Sequence, residues 1–224
     1  MHGRVSDCPP GRNVVSVRKS RDNCRHRMQD FERILCSITM APYICKAMAL
    51  IGVKRKGGSN MFRHQISTMG ILLDYKFIDA VLLKAACIHD LFEDAGGMPG
   101  VTEHEITSID SDGPAVFELV MEVTIRHTGG HRESKAAYLS RVMERGSTKA
   151  QVLKLADRIS NLTALGFVHD GAFVRRFVKE TKTHILPHAE RINADMYREL
   201  SHLIESRERL LPAAWPTTDT TPTP

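Results

Sequence analysis

The chain has 224 residues, of which 42% are apolar, and a formal charge of +5, with an isoelectric point near 9.0. That length supports one substantial domain with its own core, and the composition is ordinary for a soluble globular protein. No apolar run approaches a membrane span, and the Arg-bearing start lacks the apolar stretch of a secretory signal. The five cysteines are odd in number and contain no C-x-x-C. This argues against a disulfide framework or a cysteine-rich zinc site and suits a cytoplasmic location.

Residues 1–27 are punctuated by Pro, Gly, Arg and Ser without periodicity and read as a disordered basic arm. Much of the positive excess lies there. The charge therefore fits a small phosphorylated substrate better than nucleic acid, for which no sequence signature appears. Residues 212–224 are rich in Pro and Thr and read as a disordered tail, leaving one domain over 28–211.

Within the domain the helical period dominates. "MQDFERILCSITMA" carries helical spacing, and "PYICKAMALIGV" opens with a proline as a second helix would. "KRKGGSN" is a loop broken by two glycines. "MFRHQISTMGILLDY" returns to the pattern. "DAVLLKAACIHDLFED" is apolar almost all round and reads as one buried central helix ended by "GGMPG". Thr102 with Glu105 three residues later makes a capping box. "AVFELVMEVTIRH", "SKAAYLSRVMER", "KAQVLKLADRISNLTAL", "GAFVRRFVKETKTHILPHAERI" and "ADMYRELSHLIESRERLL" complete the set. The predicted fold is all-α, with no substantial sheet. Cys45 and Cys87 read as small apolar filler in helices.

One stretch, "CIHDLFEDAG" (87–96), sets four ionisable groups in an apolar setting, which is costly unless something compensates them. His89 and Asp90 are adjacent, and Glu93 and Asp94 follow one turn later on the same predicted helix. His64, one helix upstream, could face His89 across an antiparallel pair. Asp157 lies among Val152, Leu153, Leu155, Ala156 and Ile159, where a carboxylate needs a partner. Two imidazoles and two carboxylates suit a divalent transition metal, and the absence of thiolate tilts the choice toward Mn²⁺. Such an ion would polarise a phosphoryl oxygen and activate water, with Glu93 and Asp94 orienting or deprotonating that water. Plainer readings stand beside this one: His64 as a core histidine, Asp157 as an ion-pair partner of Arg158 or an N-cap, and Glu93–Asp94 as a solvated helix end.

The order His64, His89–Asp90, Asp157 resembles the HD superfamily of metal-dependent phosphohydrolases. In detail, "HDLFED", "LKLADRISNLTAL", "VTIRH", "KETKTHILPHAERI" and "KRKGGSNMFRHQ" resemble the hydrolase domain of RelA/SpoT-type alarmone enzymes, over roughly residues 43–205. The chain is similar to a small alarmone hydrolase with that single domain. The resemblance implies an HD-domain helical bundle. It also implies a Mn²⁺-dependent 3′-pyrophosphohydrolase that converts guanosine tetra- or pentaphosphate to GDP or GTP. His64, His89, Asp90 and Asp157 would bind metal, and Glu93 and Asp94 would handle the attacking water and a proton. Arg55 falls at the position that packs on the base, with Lys54 and Lys56 beside it for phosphates, and Asn161 at one that contacts the nucleoside. The family's Pro-Tyr, His-Pro and two threonines are here Asn60–Met61, His64–Gln65, Ala95 and Ala164. These changes line the nucleotide end. An adenosine alarmone, another nucleotide phosphohydrolase, or a catalytically silent sensor therefore remain alternatives. Oligomeric state is not encoded legibly.

Overall fold

The computed structural model describes residues 29–55, 60–167 and 170–211. The arm and tail expected above, and Lys56, lie outside the described residues. The chain divides into two units between Thr39 and Met40. In the first, a helix α1 (Gln29–Ser37) is mostly exposed and carries an Arg33–Asp30 surface pair.

Among the described residues, the regular structure of the second unit is helical apart from one two-stranded hairpin. Its helices begin where the sequence supplies caps. In α2 (Ala41–Ala47), Pro42 opens the first turn. The Asn60 side chain accepts from Arg63 N to start α3 (Met61–Asp74). Asp79 accepts from Leu82 N to start α4 (Ala80–Ile88). After the four-residue α5 (Leu91–Asp94), Thr102 accepts from Glu105 N at α6 (Glu103–Thr107), so half of the predicted capping box forms. Then follow α7 (Gly113–Glu122), β1 (His127–Thr128) and β2 (His131–Arg132). Ser134 caps α8 (Lys135–Arg145), Ser147 caps α9 (Thr148–Ala164), and Asp170 caps α10 (Gly171–His184). The last described helices are α11 (Leu186–Ile192) and α12 (Ala194–Leu210). Among the described residues, no single helix is long and apolar enough to cross a membrane.

Helix α4 is the centre. Leu83, Ala85, Ala86, Cys87 and Ile88 are fully enclosed, because α2, α3, α7 and α9 pack around it. Its apolar character on every side is what such a position requires. Cys45, in contrast, is exposed and fills no core space.

Three predicted helices are cut short. The segment 79–94 is not one helix. α4 stops at Ile88, and Asp90 (φ −100°, ψ 2°) leaves the helical path before α5 begins. The run 115–127 ends at Glu122, and its remainder feeds an antiparallel hairpin pairing His127 with Arg132 and Thr128 with His131. Gly129 and Gly130, both at positive φ, make the turn. The Arg141 guanidinium fixes the crossover by donating to the Glu122 and Thr124 carbonyls (2.7 and 2.8 Å) and pairing with Glu133. Finally, 171–192 divides at Ile185. Pro187 has no amide proton for the α10 ladder and instead opens α11.

Candidate metal centre and the cleft beside it

Helix α3 packs against both α4 and α9. This brings His64 of α3, His89 and Asp90 of the α4–α5 break, and Asp157 of α9 into one cluster, with one donor atom from each within 4.8 Å of all the others. The two imidazole Nε2 atoms face each other at 3.2 Å. His64 Nε2 lies 3.0 Å from Asp157 Oδ1 and 3.4 Å from Asp90 Oδ2. His89 Nε2 lies 3.3 Å from Asp90 Oδ2 and 3.6 Å from Asp157 Oδ1. The helix break makes this convergence feasible: on a continuous helix His89 and Asp90 would point about 100° apart.

The far sides of both rings are anchored. His89 Nδ1 faces the Ala86 carbonyl at 2.9 Å, where it can only donate. His64 Nδ1 meets the Ser160 hydroxyl at 2.8 Å. His89 Nε2 is thereby left as an acceptor facing two carboxylates, and His64 Nε2 is one too when its Nδ1 donates to Ser160, an arrangement that a cation resolves. Two nitrogens and two oxygens without sulfur therefore fit a divalent ion of intermediate softness. Gln65 Nε2 steadies Asp90 from behind at 3.3 Å.

Without a cation the cluster compensates itself with protons. Burial alone would lower the His89 pKa, but Asp90 and Asp157 outweigh it and raise it to about 10. Burial pushes both aspartates up, yet His89 and His64 hold Asp90 well below the carboxylate range. Lys154, with the same histidines, does this for Asp157. The Lys154 ammonium contacts Asp157 Oδ2 at 2.7 Å and lies over the Tyr138 ring. Asp157 is thus neither an N-cap nor the partner of Arg158. It lies in mid-helix, and its ion pair is with Lys154.

A cleft of about 360 Å³ opens beside the cluster, and Lys54, Arg55, Glu93, Asp94 and Asn161 line it. Arg55 donates to Asn161 Oδ1, and Asn161 Nδ2 donates to the Asp157 carbonyl (2.9 Å) and Oδ1 (2.5 Å). A polar chain therefore links the Lys54–Arg55 segment to Asp157 of the cluster. Lys54 bridges to Asn60 and closes that loop. Glu93 Oε1 accepts from Ile125 N at 2.8 Å, tying the acid to the entry of the hairpin. Desolvation in the cleft, then the Asp90 and Glu93 carboxylates, push Asp94 up to about 6.

The Asp94 shift has a testable sign. Its charged form is strained in the fold, so a cost absent below the unfolded pKa of about 3.9 is complete above about 6. Asp94→Asn will therefore raise the melting temperature at pH 7.5 and leave it unchanged near pH 3.5. Equal effects at both pH values would mean that Asp94 is not strained as an anion.

Five residues that shape this site carry no catalytic or binding expectation from the sequence. Lys154 was legible, since it stands three residues before Asp157 in the same apolar stretch. Lys135 and Tyr138 of α8, Arg158 of α9 and Phe177 of α10 also line the cleft. No spacing rule links those three helices.

No known family model and no curated protein matches the chain. A solved structure does: a metazoan ortholog of SpoT that hydrolyses ppGpp and plays a role in starvation responses. It superposes with a TM-score of 0.60 at 22% identity, over 77% of this chain and 96% of that one. The likeness is one of fold alone: both chains share the same helical bundle.

Proposed function

We propose that the chain is a metal-dependent phosphohydrolase that removes the 3′-pyrophosphate of guanosine alarmones, giving GDP or GTP. The carrying observation is the convergence of His64, His89, Asp90 and Asp157 with both Nδ1 atoms already hydrogen-bonded. The shared fold with a protein that hydrolyses ppGpp supports the substrate class. Those four side chains would hold the ion, and the nitrogen and oxygen donor set favours Mn²⁺. When bound, the ion supplies Lewis acidity toward a phosphoryl oxygen.

The remaining work falls to the chain's own groups. Asp94, at the cleft rim with a pKa near neutrality, takes a proton from the attacking water. Glu93 has one carboxylate oxygen on Ile125 N and holds that water with the other. Arg55, positioned by Asn161, presents a planar guanidinium to the base, and Lys54 and Lys56 meet phosphates as point charges.

One observation favours an adenosine alarmone as a second reading. Met61 lines the cleft where the family pattern has tyrosine, so a hydrogen-bonding group beside the base is missing. Purine discrimination rests on a few such bonds.

Nucleotide chromatography after incubation with guanosine and adenosine alarmones, with Mn²⁺ or with chelator, tests the proposal. The expected result is GDP or GTP plus pyrophosphate, lost with chelator. Preference for the adenosine compound would keep the chemistry and change the substrate. No turnover of either with Mn²⁺ present would reject the reading.

A further inference from the structure

Three cations crowd the side of the cleft formed by α8, α9 and α10. Lys135 and Lys154 both place their ammonium groups over the Tyr138 ring, at 4.9 and 4.8 Å from its centre. Arg158 lies with its guanidinium 4.1 Å from the centre of the Phe177 ring. Only Lys154 has a counter-charge in contact, Asp157. Among the described residues, no carboxylate forms an ion pair with Lys135 or Arg158.

Arg158 is the more telling of the two. It is 2% exposed, and its Nε and Nη1 have no hydrogen-bond partner. A buried guanidinium with unused donors is costly, and folds rarely retain one without an anion to meet it. Burial depresses its pKa; Lys135 is an exposed residue, but partial desolvation of its ammonium in the cleft, with the neighbouring Lys154 and Arg158, depresses its pKa too. Through the Lys154–Asp157 contact this cationic face adjoins the metal ligands directly.

We propose that Lys135 and Arg158 form an anion subsite for a phosphoryl group, next to the one held at the metal cluster. The identity of the anion rests on the phosphohydrolase reading; the subsite itself rests on the cations. Its ligand is one end of a pyrophosphate chain, which spans from the cluster to the Phe177-backed guanidinium. Arg158 offers a planar fork to phosphate oxygens, and Lys135 offers a point charge from the open rim.

The test uses inorganic pyrophosphate as the probe, titrated calorimetrically into the full chain stripped of metal. Wild type should bind it, and Lys135→Ala, at an exposed position, should weaken binding by roughly ten-fold, the scale of one charge-assisted contact. Arg209→Ala, removing an exposed charge on α12, should change nothing. Arg158→Met keeps the bulk against Phe177. It should lose pyrophosphate binding while the metal-free protein melts at the same or a higher temperature, because an unpaired buried charge is removed.

No binding by metal-free wild type, or unchanged binding in Lys135→Ala or Arg158→Met, would overturn the subsite. The two proposals fail separately. Pyrophosphate binding that depends on Lys135, without alarmone turnover, would remove only the substrate. Turnover without such binding would remove only the subsite.

Discussion

Asp157→Ala will abolish turnover and cost the fold about 3–5 kcal/mol, the usual penalty for stranding one half of a buried ion pair. Asp157 does two jobs with two oxygens. Oδ1 faces His64 and His89 in the cluster, and Oδ2 neutralises Lys154 at 2.7 Å. Lys154 is 4% exposed, and beyond Asp157 its ammonium has the Tyr138 ring and the more distant Asp90 carboxylate as support. Truncating Asp157 leaves that ammonium buried without its anion. A second substitution separates the roles. Lys154→Met in the Asp157→Ala background removes the stranded charge, so urea unfolding should show most of the lost stability restored. Chromatography should still show no product, because one of the four proposed metal donors is gone. If the single variant lost activity but kept full stability, the Lys154 pair would be energetically idle. If the double variant regained turnover, Asp157 would not be a ligand.

Much of the architecture was readable because local signals agree with tertiary demands. Asn60, Asp79, Ser134, Ser147 and Asp170 stand before apolar-periodic runs and cap the helices they announce. The clustering of His64, His89, Asp90 and Asp157 was readable for a different reason: ionisable groups in apolar stretches demand partners, and these four lie against one another. The break between Ile88 and Leu91 was not readable. No Gly or Pro interrupts "AACIHDLFED", and helical propensity runs straight through it. The departure belongs to Asp90, whose carboxylate meets His64, His89 and Gln65, contacts set by tertiary packing. The hairpin was readable in principle, since "TGGH" is a strong turn signal between short strands. The helical pattern of "AVFELVME" was carried too far across it. Arg158 shows the limit of adjacency. Next to Asp157 in sequence, it points instead to Phe177 on another helix, because neighbouring side chains on a helix diverge.

Metal will stabilise the chain, and more strongly as pH rises. An ion at one hundred times its dissociation constant adds about 2.7 kcal/mol, which for a chain of this size is a melting shift of roughly 5–10 °C. His64→Ala should erase most of the shift by removing one of the four donors. The pH dependence follows from His89. In the metal-free fold its pKa is raised to about 10 by Asp90 and Asp157. The stability it contributes is therefore complete below the unfolded value of about 6.5 and is lost as pH rises through about 10. A cation and that proton compete for the same Nε2, so each pH unit across this window weakens the proton's hold and strengthens the metal's. Thermal denaturation with and without Mn²⁺ should accordingly show a larger shift at pH 8.5 than at pH 6. A shift that does not vary with pH would mean that His89 is already neutral before the metal arrives. The two carboxylates would then be compensated elsewhere, with Lys154 the nearest buried cation able to do it.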